Sequence, residues 1–92
     1  MTNVETSQED VFRKQLASVI LKKRQQMGLS QDEVAQRSKL HRTYISDVER
    51  GERNISVESL RRIANALDMQ VWQLVQYAEQ ADVNPPRELV TQ

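Results

Sequence analysis

From Phe12 onward apolar side chains recur every three or four residues: Phe12, Leu16, Val19, Ile20 and Met27 fall on one helical stripe, and Gly28 follows as a stop. Ser7-Gln8-Glu9-Asp10 resembles a capping box, which predicts a first helix over about 9–27. Ser30-Gln31-Asp32-Glu33 has the full capping-box pattern and opens a short second helix over about 31–37. A third helix, over about 42–50, points Ile45 and Val48 inward and stops at Gly51. Ser56 caps a fourth, whose stripe is Val57, Leu60, Ile63, Ala64 and Leu67. After a break at Asp68 to Gln70, Val71, Trp72, Leu74, Val75 and Ala78 define a fifth, and Asn84-Pro85-Pro86 closes the folded part. No stretch alternates as a strand would. The pattern predicts a compact all-α five-helix domain over 9–81, with an N-terminal tail at 1–8 and a C-terminal tail at 82–92.

A chain of 92 residues has room for one small core, which fits a binding module better than an enzyme with its own cofactor fold. With no cysteine and a single histidine, His41, neither a thiolate nor a histidine-cluster metal site is available. Two glycines cannot build a phosphate-cradling loop, and Asp32 with Glu33, or Asp47 with Glu49, would point apart on a helix instead of forming an acid/base pair. No catalytic residue, no cofactor and no metal is expected. The absence of a secretory segment or a membrane-spanning run gives a cytoplasmic expectation.

Net charge is zero, yet the charge is segregated. Residues 11–53 hold ten basic side chains against five acidic ones, while both flanks are acidic. That excludes indiscriminate polybasic binding and leaves open a reader with one electropositive surface.

The second and third helices, joined at Arg37-Ser38-Lys39-Leu40, have the spacing of a helix-turn-helix over about 31–50. With Ile45 and Val48 inside, the helical period turns Arg42, Thr43, Ser46, Asp47 and Arg50 outward, a face without a large apolar residue.

These residues carry a resemblance. Leu29-Ser30-Gln31-Asp32-Glu33-Val34-Ala35, followed by Leu40 through Gly51, is similar to the lambda repressor and Cro (XRE) family of helix-turn-helix regulators. The run Arg42-Thr43-Tyr44-Ile45-Ser46 with Glu49-Arg50 and Arg53-Asn54 resembles, within it, the controller proteins of restriction-modification systems. The resemblance implies a lambda-repressor-like domain that binds double-stranded operator DNA as a homodimer and regulates transcription, with RNA polymerase or another protein as a further partner. It implies base contacts from Arg42, Thr43, Ser46 and Asp47, and backbone contacts from Gln31, Tyr44, Arg50, Arg53 and Asn54. For Asp47 a cytosine N4 contact and an orienting role toward Arg50 or Arg42 are both open; for Tyr44, packing with its hydroxyl on phosphate, or an approach to the central DNA. His41 is either a poor helix cap or a DNA contact. Arg24 and Glu49 match a structural ion pair, and Val71, Trp72, Val75 and Ala78 are expected at a dimer interface. The competing class is an antitoxin-like or coactivator-like subunit that keeps the fold and docks a protein.

Overall fold

The capping signals and glycine stops translate directly into elements. The structure, a computed structural model, describes residues 8–81. It contains α1 (Gln8–Gln26), α2 (Gln31–Ser38), α3 (Arg42–Glu49), α4 (Val57–Ala66) and α5 (Val71–Gln80), with no strand among the described residues. The tails expected at 1–8 and 82–92 lie outside the described residues except Gln8, which is already helical.

Ser30 caps α2 as its pattern requires: its hydroxyl accepts from the Glu33 amide at 3.0 Å, and the Glu33 carboxylate accepts from the Ser30 amide at 2.7 Å. Ser56 likewise accepts from the Ser59 amide. Glu58, in the first turn of α4, accepts from Arg62 and Arg61, and these bonds hold its carboxyl below the usual carboxylate range. The start of α5 carries no Ser, Thr, Asp or Asn cap; there the Gln73 side chain accepts from the Gln70 amide at 2.9 Å.

Four of the five helices are followed by a left-handed residue, and two of those four residues are not glycine. Gly28 and Gly51 have φ of 71° and 74°, while Lys39 and Asp68 adopt 61° and 58°. After α2 the Leu40 amide reaches back to the Ala35 carbonyl at 3.1 Å, and after α4 the Met69 amide reaches Ala64 at 2.8 Å, so the last carbonyls are satisfied. The helix-turn-helix connection is therefore Lys39-Leu40-His41, one to two residues later than the spacing suggested.

Every helix contributes to one core. Ile20, Val34, Ile45, Val48, Ile63, Leu67 and Leu74 are fully buried. Each such side chain contributes about 1.5–3 kcal/mol by leaving water. The α1 helix packs along α5 and touches α3, and α2 lies between α3 and α4. Two apolar expectations are corrected. Val57 is exposed, because it sits one turn before Leu60 at the first position of α4, beyond the packed layer. Ala78 is completely buried within the subunit, so it presents no surface to a partner. Among the described residues no helix is long and apolar enough to cross a membrane.

Candidate nucleic-acid interface

Two buried apolar side chains, Ile45 and Val48, seat α3 on the core, and a polar brace fixes its far end. The Glu49 carboxylate accepts two bonds from the Arg24 guanidinium, at 2.6 and 2.9 Å, and a third from the Gln31 amide at 2.9 Å. Arg24 also donates to the Leu29 carbonyl at 2.8 Å. One cluster thus ties α1, the loop before α2, the first residue of α2 and the last of α3. The pair is largely shielded, with 14% of the Arg24 side chain and 4% of Glu49 accessible. The bonds to Glu49 raise the Arg24 pKa above its already high ordinary value, so this cation stays charged wherever the chain folds. The Gln31 side chain braces α3, one of the two roles that the resemblance implied for it, beside a phosphate contact.

The outward side of α3 is polar throughout. Arg42 and Thr43 are exposed in its first turn, and Arg42 pairs with Asp32 of α2 at 3.2 Å, both side chains mostly in water. One turn on, the Ser46 hydroxyl accepts from Arg50 at 2.5 Å. Asp47 accepts from Arg50 through one carboxylate oxygen and from the Arg53 Nε at 3.4 Å through the other. Of the two partners considered for its orienting role, Asp47 has Arg50 and not Arg42. Glu52 adds a further contact to Arg50 at 3.3 Å.

The loop after α3 joins this surface. Arg53 lies over the Tyr44 ring, its guanidinium carbon 4.8 Å from the ring centre, while Tyr44 itself is half-buried against the core. Asn54 is held from α1, where the Arg13 Nε donates to its carbonyl oxygen at 3.1 Å and Arg13 also pairs with Asp10. The amide nitrogen of Asn54 is its donor end, the one from which a phosphate oxygen can accept. The structure thus gathers Arg42, Thr43, Tyr44, Ser46, Asp47, Arg50, Arg53 and Asn54 on α3 and its following loop, with Gln31 behind them. Sequence reasoning missed Asp32, Glu52 and Arg13 as their partners. A signal existed only for Glu52, two residues from Arg50; the others pair across helices.

His41 precedes α3 in N-cap geometry without a side-chain hydrogen bond, as a poor cap should. His41→Ser is expected to stabilise the DNA-free domain by about 1 kcal/mol in denaturant unfolding, by giving an N-terminal amide of α3 an acceptor.

A second surface lies on α5. Trp72 is 64% exposed, beside half-buried Val71 and Val75, and together with Met69 it lines a shallow groove bounded by Arg61 and Asn65 of α4.

The helix of α3, polar outside and seated by apolar and ionic contacts inside, defines a helix-turn-helix. The family model described as helix-turn-helix matches residues 20–71, and the chain belongs to that family. Within it, the chain is similar to the controller proteins. It is 44% identical over 50 residues to the control protein C.BamHI of Bacillus amyloliquefaciens, an alignment that spans 54% of this chain and 62% of that one. The chain thus spans about three-fifths of the length of this curated relative. The crystal structure of the restriction-modification controller protein C.AhdI from Aeromonas hydrophila superposes with a TM-score of 0.66 at 35% identity, covering 67% of this chain and 94% of that one. A tetramer of the controller protein C.Esp1396I in complex with its natural 35 base-pair operator has a TM-score of 0.66 at 32% identity, covering 74% of this chain and 95% of that one.

Proposed function

We propose that this protein is a transcriptional regulator that binds a palindromic operator in double-stranded DNA as a homodimer, acts in the cytoplasm, and has neither catalytic activity nor a cofactor. The observation that carries the reading is the outward face of α3, where Arg42, Thr43, Ser46 and Arg50 stand without an apolar neighbour on a helix braced by Glu49. A helix of this kind enters a major groove about 12 Å wide, and its first turn meets the base edges. Arg42 is placed there to donate two hydrogen bonds to guanine O6 and N7, and Thr43 to meet a base edge or a thymine methyl. Arg50, Arg53 and Asn54 flank the helix end, where the sugar-phosphate backbone runs. Similarity to controller proteins, one of them seen on its operator, supports the same reading.

A homodimer is the assembly that operator reading favours. One α3 reads one groove segment, whereas a two-fold pair reads half-sites about 34 to 36 Å apart. The apolar surface of Val71, Trp72 and Val75 on α5, with Met69, is the surface we assign to the second subunit. RNA polymerase is a further partner consistent with a regulator's role.

Two arginine variants test the reading. Arg42→Ala is expected to cost about 1 to 3 kcal/mol per half-site on the preferred operator and little on random duplex, relaxing specificity at one base pair. Arg53→Ala should leave the base preference unchanged and reduce the salt slope on the operator by about 1 per subunit. Salt titrations of both variants on both duplexes measure the contrast. An adapter that docks only protein would show no sequence-selective mobility shift at about 0.1 to 0.2 M salt, a range in which regulators bind their sites specifically.

A further inference from the structure

The outward face of α3 carries one carboxylate that works against a DNA-binding surface. Asp47 sits between two arginines and is itself largely covered: its side chain is 21% exposed, against 52% for Arg50 and 47% for Arg53. Each carboxylate oxygen serves a different guanidinium, one from the end of α3 and one from the loop beyond Gly51. Arg50 is further held by Ser46 and Glu52, and Arg53 by the Tyr44 ring. Arg42 contrasts with them: its partner Asp32 is as exposed as Arg42 itself, so that pair restrains little.

We infer that Asp47 is a specificity-determining residue, which lowers sequence-independent binding by locking Arg50 and Arg53 in one geometry. The inference rests on the DNA-binding reading above. Affinity for arbitrary duplex comes from cations that follow the backbone and release its counterions. A guanidinium tied to Asp47 meets only a phosphate that lies in its one position, and the carboxylate beside it repels any other. On the operator, base contacts from Arg42 and Thr43 fix the register, so the phosphates fall where the locked arginines already point and no ordering cost is added. The same ion pairs therefore hinder loose docking and favour the registered complex. Neutral asparagine would keep part of the hydrogen bonding and lose both effects of the charge.

The test uses the full chain with two probes: a mixed-sequence duplex, and the duplex that the unmodified protein enriches from a random pool. Asp47→Asn is expected to raise affinity for the mixed duplex about three- to tenfold at about 0.15 M salt and to steepen its salt slope by about 1 per subunit. Affinity for the enriched duplex stays level or falls, so the ratio between the two probes drops. Adding Arg53→Gln removes the gain, and Asp47→Glu restores part of the discrimination. Glu79→Gln, which deletes the same charge from the exposed side of α5, leaves the ratio unchanged. An equal gain on both probes, or the same effect from Glu79→Gln, would reduce Asp47 to general electrostatics and overturn the inference. So would an unchanged mixed-duplex affinity in a variant that melts like the unmodified protein. Failure of the unmodified protein to enrich any sequence is a separate result and overturns the DNA-binding reading itself.

Discussion

Glu49→Ala is expected to destabilise the DNA-free domain by about 3 to 5 kcal/mol, because it strands the Arg24 cation in a site where water replaces little of what is lost. With 14% of the Arg24 side chain and 4% of Glu49 accessible, the pair lies near the buried limit of ion-pair energetics. Gln31 loses its acceptor in the same step, and α3 loses the tie that fixes its far end. Small domains have total stabilities of about 5–15 kcal/mol, so the variant should melt at least about 10 °C lower. Thermal melting without DNA measures it. A melting temperature equal to that of the unmodified protein would show that the brace contributes nothing to folding. Glu49→Gln, which keeps an acceptor for Arg24 and Gln31, should fall between the two.

The second large effect is on assembly. Trp72→Arg should leave the monomer folded, since 64% of the tryptophan lies in solvent, and should abolish pairing by placing a charge among Met69, Val71 and Val75. Operator affinity is then expected to fall about a hundredfold or more, as the second half-site is no longer bound within the same complex. Sedimentation at micromolar concentration gives the assembly state, and circular dichroism the fold. A variant that still sediments as a dimer would place the subunit contact elsewhere.

Four of the five helices were legible in the sequence because an end of each is chemically marked, and α5 was legible by its apolar period. Ser30 with Glu33, Ser56, Gly28 and Gly51 fix boundaries through local hydrogen bonds and backbone freedom, which depend on neighbours in the chain alone. The left-handed Lys39 was not legible, since lysine gives no sign of that conformation, and α2 runs one residue further than the pattern indicated. The core stripe was readable by period, but period cannot say where a helix leaves the core: Val57 and Ala78 share the apolar pattern and end at opposite extremes of exposure. At the candidate site the outward residues of α3 followed from Ile45 and Val48 pointing inward. The partners of those residues did not. Arg42 with Asp32 and Arg13 with Asn54 meet because of the angles at which helices and loops pack, and no residue spacing encodes those angles.

Eight residues of α3 divide between two tasks with little overlap. Ile45 and Val48, together with Glu49, hold the helix in the domain, while Arg42 and Thr43 stand in water and contribute little to the fold. Substitutions at such exposed positions usually alter stability by no more than about 0.5 kcal/mol. On the DNA-binding reading proposed above, the surface that meets the bases is therefore free to drift. A lineage built on this scaffold can acquire a new operator by exchanging side chains at the start of α3, and an engineer can do the same, with Arg24, Gln31 and Glu49 left in place as a socket for interchangeable reading heads.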